Sequence, residues 1–200
     1  WPCAAWSQEM PWIRFVLPAA PMRPISLNGG ATMPGWYDIR GLGDRLREPA
    51  EGAETSRGLW SDLAEAEASR VGRDRVVLGG FSQGGAMALY TALHGNMLPL
   101  IAGVVCMSGY LPNQAAVAAA LPPGRRPAAL RELPVLLCHG RADGMVSFDA
   151  ALRTRDALEA LGLERVELRE YGFMGHEVCD EELQDVSEWL GARLPERKAV

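Results

Sequence analysis

Short apolar runs alternate with helix-like stretches through the second half of the chain. Four runs have the length and composition of strands: 75–80, 101–107, 134–138 and 165–171. Helical periodicity or helix-forming composition marks four further segments: 58–71, 86–93, 148–161 and 180–193. Strands separated by helices predict a parallel sheet with helices on both faces. The runs are continuous rather than alternating, which agrees with a sheet covered on both sides.

The first third of the chain has a weaker pattern. An apolar segment at 12–17 predicts a first strand, which Pro18 stops. From residue 26 to residue 57 there is little periodicity and much glycine, proline and charge, which predicts a long surface excursion. Its most apolar part is 33–38. A second irregular stretch covers 112–131 and holds one or two helical turns.

Length and composition indicate one globular domain over residues 1–200. The chain has 200 residues, of which 48% are hydrophobic and 22% charged, so it can bury a sizeable core. No repeat divides it. The net charge of −5 gives no reason to expect nucleic acid or an anionic membrane as a partner.

The four cysteines show neither a disulfide pattern nor metal-ligand spacing. Cys106 and Cys138 lie inside apolar strand-like runs, where a free cysteine behaves as a small hydrophobic residue. This usage indicates a reducing compartment, and we expect a cytoplasmic location. No metal or organic cofactor is implied. The sequence leaves open the oligomeric state and any lipid modification of Cys3.

A glycine-rich turn around Ser82 carries the strongest chemical signal. Residues 79–85 read Gly-Gly-Phe-Ser-Gln-Gly-Gly and lie between a predicted strand and a predicted helix. This is the context of the G-x-S-x-G nucleophile elbow. We expect Ser82 in a strained, near left-handed conformation, with Gly80 and Gly84 omitting the Cβ atoms that would block a close strand–helix approach. The helix N-terminus would face an oxyanion formed beside the serine.

A serine hydroxyl needs a general base, and three histidines are available. His94 lies at the far end of the helix that follows Ser82, too far along that helix to be the partner. His139 follows a predicted strand and could lie near the site, but no acid follows its loop in the expected order. His176 lies in a glycine-rich loop directly after the last predicted strand, which suits a positioned base.

Asp143 is the candidate acid, because it lies in the loop after the preceding strand and completes the order serine, acid, histidine. Asp149 and Asp156 are better explained as residues of a helix. The predicted catalytic residues are therefore Ser82, Asp143 and His176. Ser82 would attack an acyl carbonyl and His176 would act as base. The backbone N–H of Gln83 would supply one oxyanion donor.

Signatures spread over most of the chain resemble the acyl-protein thioesterase and small carboxylesterase family of α/β-hydrolases. The matching segments are 18–21, 27–30, 33–39, 78–86, 89–93, 108–112, 138–140 with Asp143, and 175–176. The resemblance implies hydrolysis of acyl groups from protein cysteines, and of carboxyl esters and lysophospholipids. It places Trp36, Tyr110 and Met145 along an acyl-binding groove, although Trp36 is equally well explained as core. The implied partner is an acylated protein or a small acyl ester or thioester, and transient membrane-surface contact is allowed.

The chain departs from the family pattern at its N-terminal end. Family members carry a strand ending in His-Gly-Leu-Gly-Asp, whose loop supplies the second oxyanion donor, upstream of the region that matches Trp1. Residues 41–44 repeat the letters Gly-Leu-Gly-Asp but follow no predicted strand. We therefore expect an N-terminally incomplete α/β-hydrolase sheet. Losing one oxyanion donor costs on the order of a hundred- to a thousandfold in rate.

Three functions stay open at this point. The first is a serine hydrolase acting on acyl thioesters or esters. The second is a catalytically impaired protein that keeps the groove to bind acyl chains or a partner. The third is acyl transfer to an acceptor other than water, which would use the same three residues. Thioester against ester preference and chain length depend on the shape of the groove.

Overall fold

The computed structural model describes residues 3–44, 46–94, 101–124 and 126–197. Its α-helices are α1 (Cys3–Glu9), α2 (Ala53–Val71), α3 (Gln83–His94), α4 (Gln114–Ala120), α5 (Phe148–Ala160) and α6 (Asp180–Arg193). Its strands are β1 (Met22–Ile25), β2 (Ala31–Pro34), β3 (Val77–Phe81), β4 (Gly103–Met107), β5 (Val135–Gly140) and β6 (Val166–Tyr171).

Four of the strands form the predicted parallel sheet, in the order β3-β4-β5-β6. Each strand lies beside its neighbour in sequence, and the helical connections between them return the chain to the same edge. All four carboxyl ends therefore meet at one edge, where ligands and catalytic groups gather in open α/β sheets. β3 begins two residues later than predicted, because a 3₁₀ turn (Arg73–Arg75) precedes it.

Helices cover both faces of the sheet, as predicted. Val104 and Cys106 of β4 pack into a cluster formed with α2, α3, α4 and α5. Val105 and Met107 of the same strand pack into a second cluster with α1 and α6. Successive side chains of a strand point to opposite faces, so a continuously apolar strand supplies both clusters.

The strand predicted at 12–17 is wrong. Among the described residues this segment has no ladder partner, and a strand exists only when a neighbour satisfies its backbone groups. The segment instead runs along the outside of the fold. Trp12 Nε1 donates a hydrogen bond to the carbonyl of Leu194, 2.8 Å away, just beyond the end of α6. Within the described residues β3 is an edge strand of the parallel sheet.

An antiparallel hairpin, β1–β2, begins just before the surface excursion predicted at 26–57 and continues into it, with Ile25 facing Ala31 across the ladder. Gly29 and Gly30 make its turn with positive φ angles of 65° and 81°, which suit glycine best. The two strands have four residues each and are mostly exposed. They therefore lack the apolar alternation that identifies a strand in a sequence.

The helix boundaries agree with the sequence where clear end signals exist. α6 covers the predicted residues, and α2 ends before Gly72, whose N–H donates to the carbonyl of Ala68. α2 begins at Ala53 rather than at residue 58, since its first buried residues are small and give no apolar stripe. The sequence also predicts that Gly95 ends α3, and this residue lies outside the described residues.

Candidate active site

Ser82 lies at the sharp turn between β3 and α3. Its φ angle is +53°, a conformation that costs a non-glycine residue energy and was predicted for a nucleophile elbow. The backbone holds it there from both sides. Its N–H donates to Met107 O at 2.8 Å, and its carbonyl accepts from Ala86 N at 3.0 Å. The hydroxyl is therefore presented at the carboxyl end of the sheet.

The close approach of β3 and α3 depends on Gly80 and Gly85. A Cβ on Gly80 would lie 2.4 Å from the backbone of Gly84, so the prediction for Gly80 is confirmed. The prediction for Gly84 is wrong, because a Cβ there would meet nothing within 4 Å. Gly85 fills that role instead, since its Cβ would lie 2.8 Å from Gly80 O and 2.9 Å from Cys106 Sγ. The one-residue offset arises because the rotation of α3 directs Gly85, rather than Gly84, towards β3.

The structure brings the side chains of Ser82, His176 and Asp143 into one hydrogen-bonded chain. His176 Nε2 lies 2.9 Å from Ser82 Oγ, and His176 Nδ1 lies 2.8 Å from Asp143 Oδ2. A carboxylate only accepts hydrogen bonds, so Nδ1 carries the proton and Nε2 can accept the serine proton. Each residue follows a different strand: β3, β5 or β6. Their catalytic roles stay predictions.

The Asp143 carboxylate is held by its own loop. Its Oδ1 accepts from the backbone N–H groups of Met145 and Val146, both at 2.8 Å, and its side chain is fully buried. Gly140 lets the histidine loop come close, because a Cβ there would lie 2.0 Å from Met174 O. The sequence does not mark Gly140 as a residue of the site. Its only sequence signal is a glycine at the end of an apolar strand.

An aromatic ring supports the imidazole. The Phe81 ring lies 4.9 Å from that of His176, with an interplanar angle of 44°. Phe81 directly precedes Ser82, so one turn of chain presents the hydroxyl and packs against the histidine. The histidine ring stays partly exposed, with 18% of its side-chain surface open to solvent.

Gln83 has two features that concern the site: a backbone N–H at the start of α3 and a side-chain carboxamide that bonds a neighbouring segment. It is the first residue of α3, so its N–H has no partner within the helix and suits an oxyanion. Its carboxamide bridges to a neighbouring segment: Oε1 accepts from Trp36 N at 2.8 Å, and Nε2 donates to Tyr37 O at 2.9 Å. The Ser56 hydroxyl donates to Trp36 O. The sequence predicts only the backbone role of Gln83.

The three predicted groove residues lie in different environments. Trp36 is buried and packs edge-to-face on Trp60, with ring centroids 5.4 Å apart. Tyr110 is buried, and its hydroxyl lies 2.8 Å from that of Tyr37. Met145 is 48% exposed, beside Asp143. Contact of any of the three with an acyl chain stays a prediction.

The other two histidines have separate environments. His94 stacks on Tyr90, with ring centroids 4.0 Å apart, and burial lowers its pKa. His139 is buried beside the acid: its Nε2 lies 2.8 Å from Val146 O and 3.4 Å from Asp143 Oδ2. His139 therefore lies near the site, as the sequence allowed, but next to the carboxylate.

Within the described ranges, no group of three or more histidine, cysteine or acidic side chains could hold a metal ion. In those same parts of the chain, every helix is too short or too polar to cross a membrane. Residues 41–44 lie in a loop well after β2, and Asp44 pairs there with Arg153 at 3.0 Å.

Comparison with known proteins agrees with this geometry. Residues 2–194 match the profile of the phospholipase/carboxylesterase family. An acyl-protein thioesterase 1 of Neurospora crassa is 39% identical over 194 residues, which cover 94% of this chain and 77% of the relative. An acyl-protein thioesterase 1 of Mycosarcoma maydis is 37% identical over 201 residues, covering 92% and 79%.

Solved structures agree with the same assignment. The crystal structure of Zea mays acyl-protein thioesterase 2 superposes with a TM-score of 0.81 at 30% identity, covering 96% of this chain and 88% of that one. Arabidopsis thaliana SOBER1 superposes with a TM-score of 0.81 at 26% identity, covering 94% and 87%. Since the family profile spans nearly the whole chain and the fold and site geometry agree with it, the chain belongs to the phospholipase/carboxylesterase family of α/β-hydrolases.

Proposed function

We propose that this protein is a serine hydrolase that removes acyl groups from protein cysteines and also cleaves carboxyl esters. One observation carries the proposal: the continuous hydrogen-bonded chain from the Ser82 hydroxyl through His176 to the buried Asp143 carboxylate. The relatives named acyl-protein thioesterase, 37–39% identical over more than nine-tenths of the chain, support the thioester substrate.

In the acylation step, Ser82 Oγ attacks the carbonyl carbon while its proton passes to His176 Nε2. The carbonyl oxygen becomes an oxyanion that accepts from the Gln83 N–H. Asp143 stabilises the imidazolium and keeps its Nδ1 proton directed at the carboxylate. When the tetrahedral intermediate collapses, the carbon–sulfur or carbon–oxygen bond breaks. The leaving thiolate or alkoxide takes the proton from His176, which leaves an acyl-enzyme ester on Ser82.

In the deacylation step, a water molecule replaces the leaving group. His176 Nε2 removes one water proton as the oxygen attacks the acyl-enzyme carbonyl, and a second tetrahedral intermediate forms. Its collapse breaks the bond to Ser82 Oγ, which regains the proton from His176. The products are a carboxylic acid and free enzyme. No step requires a metal or an organic cofactor.

The direct test combines active-site labelling with turnover. A fluorophosphonate probe should label the wild-type protein on Ser82, and Ser82→Ala should abolish the labelling. The same protein should show an acyl-enzyme burst on p-nitrophenyl acetate and release a fatty acid from a palmitoylated cysteine peptide. A folded wild-type protein that neither labels nor shows a burst contradicts the proposal.

A binding function without turnover is the second candidate. The observation that favours it is that Gln83 is the one oxyanion donor that we identify among the described residues. The binding function predicts that a palmitoylated peptide binds without being hydrolysed. A saturable binding signal with no burst would favour this candidate, while release of free thiol at the same site would exclude it.

The proposed setting is the cytoplasm, with transient contact to membranes that carry acylated proteins. Cys106, Cys138 and Cys179 are free, which agrees with a reducing compartment. Fractionation of cells that express a tagged chain tests the location. Flotation with phosphatidylcholine vesicles, with and without an acylated peptide anchored in them, tests the contact.

A further inference from the structure

A second histidine contacts the catalytic acid, and the mechanism above gives it no role. His139 is the penultimate residue of β5 and is only 1% exposed. Its Nε2 lies 2.8 Å from Val146 O and 3.4 Å from Asp143 Oδ2. Both of these oxygens only accept, so Nε2 carries a proton that lies between them. Burial lowers the pKa of His139, which favours the neutral ring.

The Nε2–H of His139 affects the positions of both carboxylate oxygens of Asp143. The Val146 carbonyl accepts a hydrogen bond from His139 Nε2–H, and the Val146 N–H donates to Asp143 Oδ1 at 2.8 Å. His139 thereby ties the far end of the loop 141–146 back to β5. The same N–H lies near Oδ2, the oxygen that faces His176 Nδ1. Removing it would loosen the position of Oδ1 and withdraw a positive dipole from Oδ2.

We propose that His139 is a positioning residue, whose Nε2–H fixes the loop after β5 and orients the Asp143 carboxylate towards His176. The proposal rests on the proposed function, because it assigns Asp143 the role of acid. His139 takes no part in the proton transfers. Its removal should lower the rate of attack by Ser82 and leave substrate binding unchanged, since misorientation of a catalytic group affects the transition state more than the bound substrate.

The test compares a variant that keeps the donor with one that loses it. His139→Gln places an amide N–H near the position of Nε2, whereas His139→Leu fills a similar space without a donor. For H139L we expect kcat on p-nitrophenyl acetate and the rate of fluorophosphonate labelling to fall roughly tenfold to a hundredfold. KM should stay within about twofold. H139Q should recover most of both rates.

Tyr171→Phe is the matched control, because it removes a partly buried hydrogen bond from the Tyr171 hydroxyl to Asp185, 2.8 Å away. Tyr171 lies in the adjacent strand, β6, without contact to Asp143. Y171F should lower the melting temperature and leave both rates within about twofold of wild type. If H139L does not fold, His139→Asn replaces it, because the shorter amide cannot reach the Nε2 position.

Two results would overturn the proposal. In the first, kcat and the labelling rate of H139L or H139N both stay within about twofold of wild type. In the second, H139Q is as slow as H139L. Either result leaves the proposed function standing, provided that the wild-type protein labels on Ser82. Failure of the wild-type protein to label rejects the proposed function itself, so the two failures are distinguishable.

Discussion

Glu182 is a buried carboxyl group whose ionisation should make the stability of this protein depend on pH. It lies in the first turn of α6 and has no exposed surface. Neither carboxyl oxygen has a hydrogen-bond partner among the described residues. Burial, together with the nearby charge of Asp185, raises the pKa of Glu182 from its ordinary value of 4.5 to about 8.

The sign and size of the effect follow from this shift. Between these two pKa values the folded state binds a proton that the unfolded state has lost, so raising the pH favours unfolding. The stability associated with the neutral Glu182 is complete below pH 4.5 and is lost as the pH rises through about 8. Each pH unit within this window costs up to ~1.4 kcal/mol, so roughly 2.5 kcal/mol is lost between pH 5 and pH 7.

The measurement is urea unfolding of wild type and Glu182→Gln at pH 5, 6 and 7. The glutamine cannot ionise, so the stability of E182Q relative to wild type should grow by roughly 2.5 kcal/mol from pH 5 to pH 7. For a chain of this length that corresponds to about 5–10 °C in melting temperature. The lowered pKa values of partly buried His94 and buried His139 act equally on both proteins and cancel in the difference.

Glu181→Gln is the matched control, because Glu181 is the exposed neighbour of Glu182 on the same helix. Its stability relative to wild type should not change over this pH range. A difference for E182Q that also stays constant, within about 0.5 kcal/mol, would refute the reasoning. It would mean that Glu182 finds water or a donor in solution and ionises at an ordinary pH.

Three further changes test the site. Asp143→Asn should lower kcat on p-nitrophenyl acetate by about a thousandfold or more with the fold intact, because an amide cannot hold the His176 tautomer; steady-state kinetics and circular dichroism check this, and a loss below tenfold would contradict it. Gly80→Ala should destabilise the protein by several kcal/mol, because its Cβ would lie 2.4 Å from the backbone of Gly84. Gly84→Ala should be neutral or stabilising by up to about 1 kcal/mol, because its Cβ would meet nothing within 4 Å. Equal midpoints of the two variants in urea unfolding would exclude the steric argument. Gln83→Met keeps the backbone N–H but loses the two carboxamide bonds to the segment at Trp36, so kcat/KM should fall roughly tenfold, and an unchanged kcat/KM in the same ester assay would show that the bridge has no role in catalysis.

The sequence alone determined the parallel sheet, the helices on its two faces and the conformation of Ser82. These features depend on local rules. Continuous apolar strands require cover on both faces. In a G-x-S-x-G turn between a strand and a helix the serine adopts a positive φ, as Ser82 does. The order of Ser82, Asp143 and His176 along the chain was readable for the same reason, since each follows its own strand.

Tertiary structure alone decided how these parts meet. Gly80 could be assigned to the strand–helix contact, but whether Gly84 or Gly85 faces it depends on the rotation of α3. The burial of Glu182 depends on the elements against which α6 packs, and the contact of His139 with Asp143 depends on how the loop after β5 folds back onto that strand. Sequence periodicity shows which face of a helix or strand is apolar, but not which atoms of the rest of the fold that face contacts. Hydrogen bonds form at about 3 Å, so those individual contacts determine the chemistry of the site.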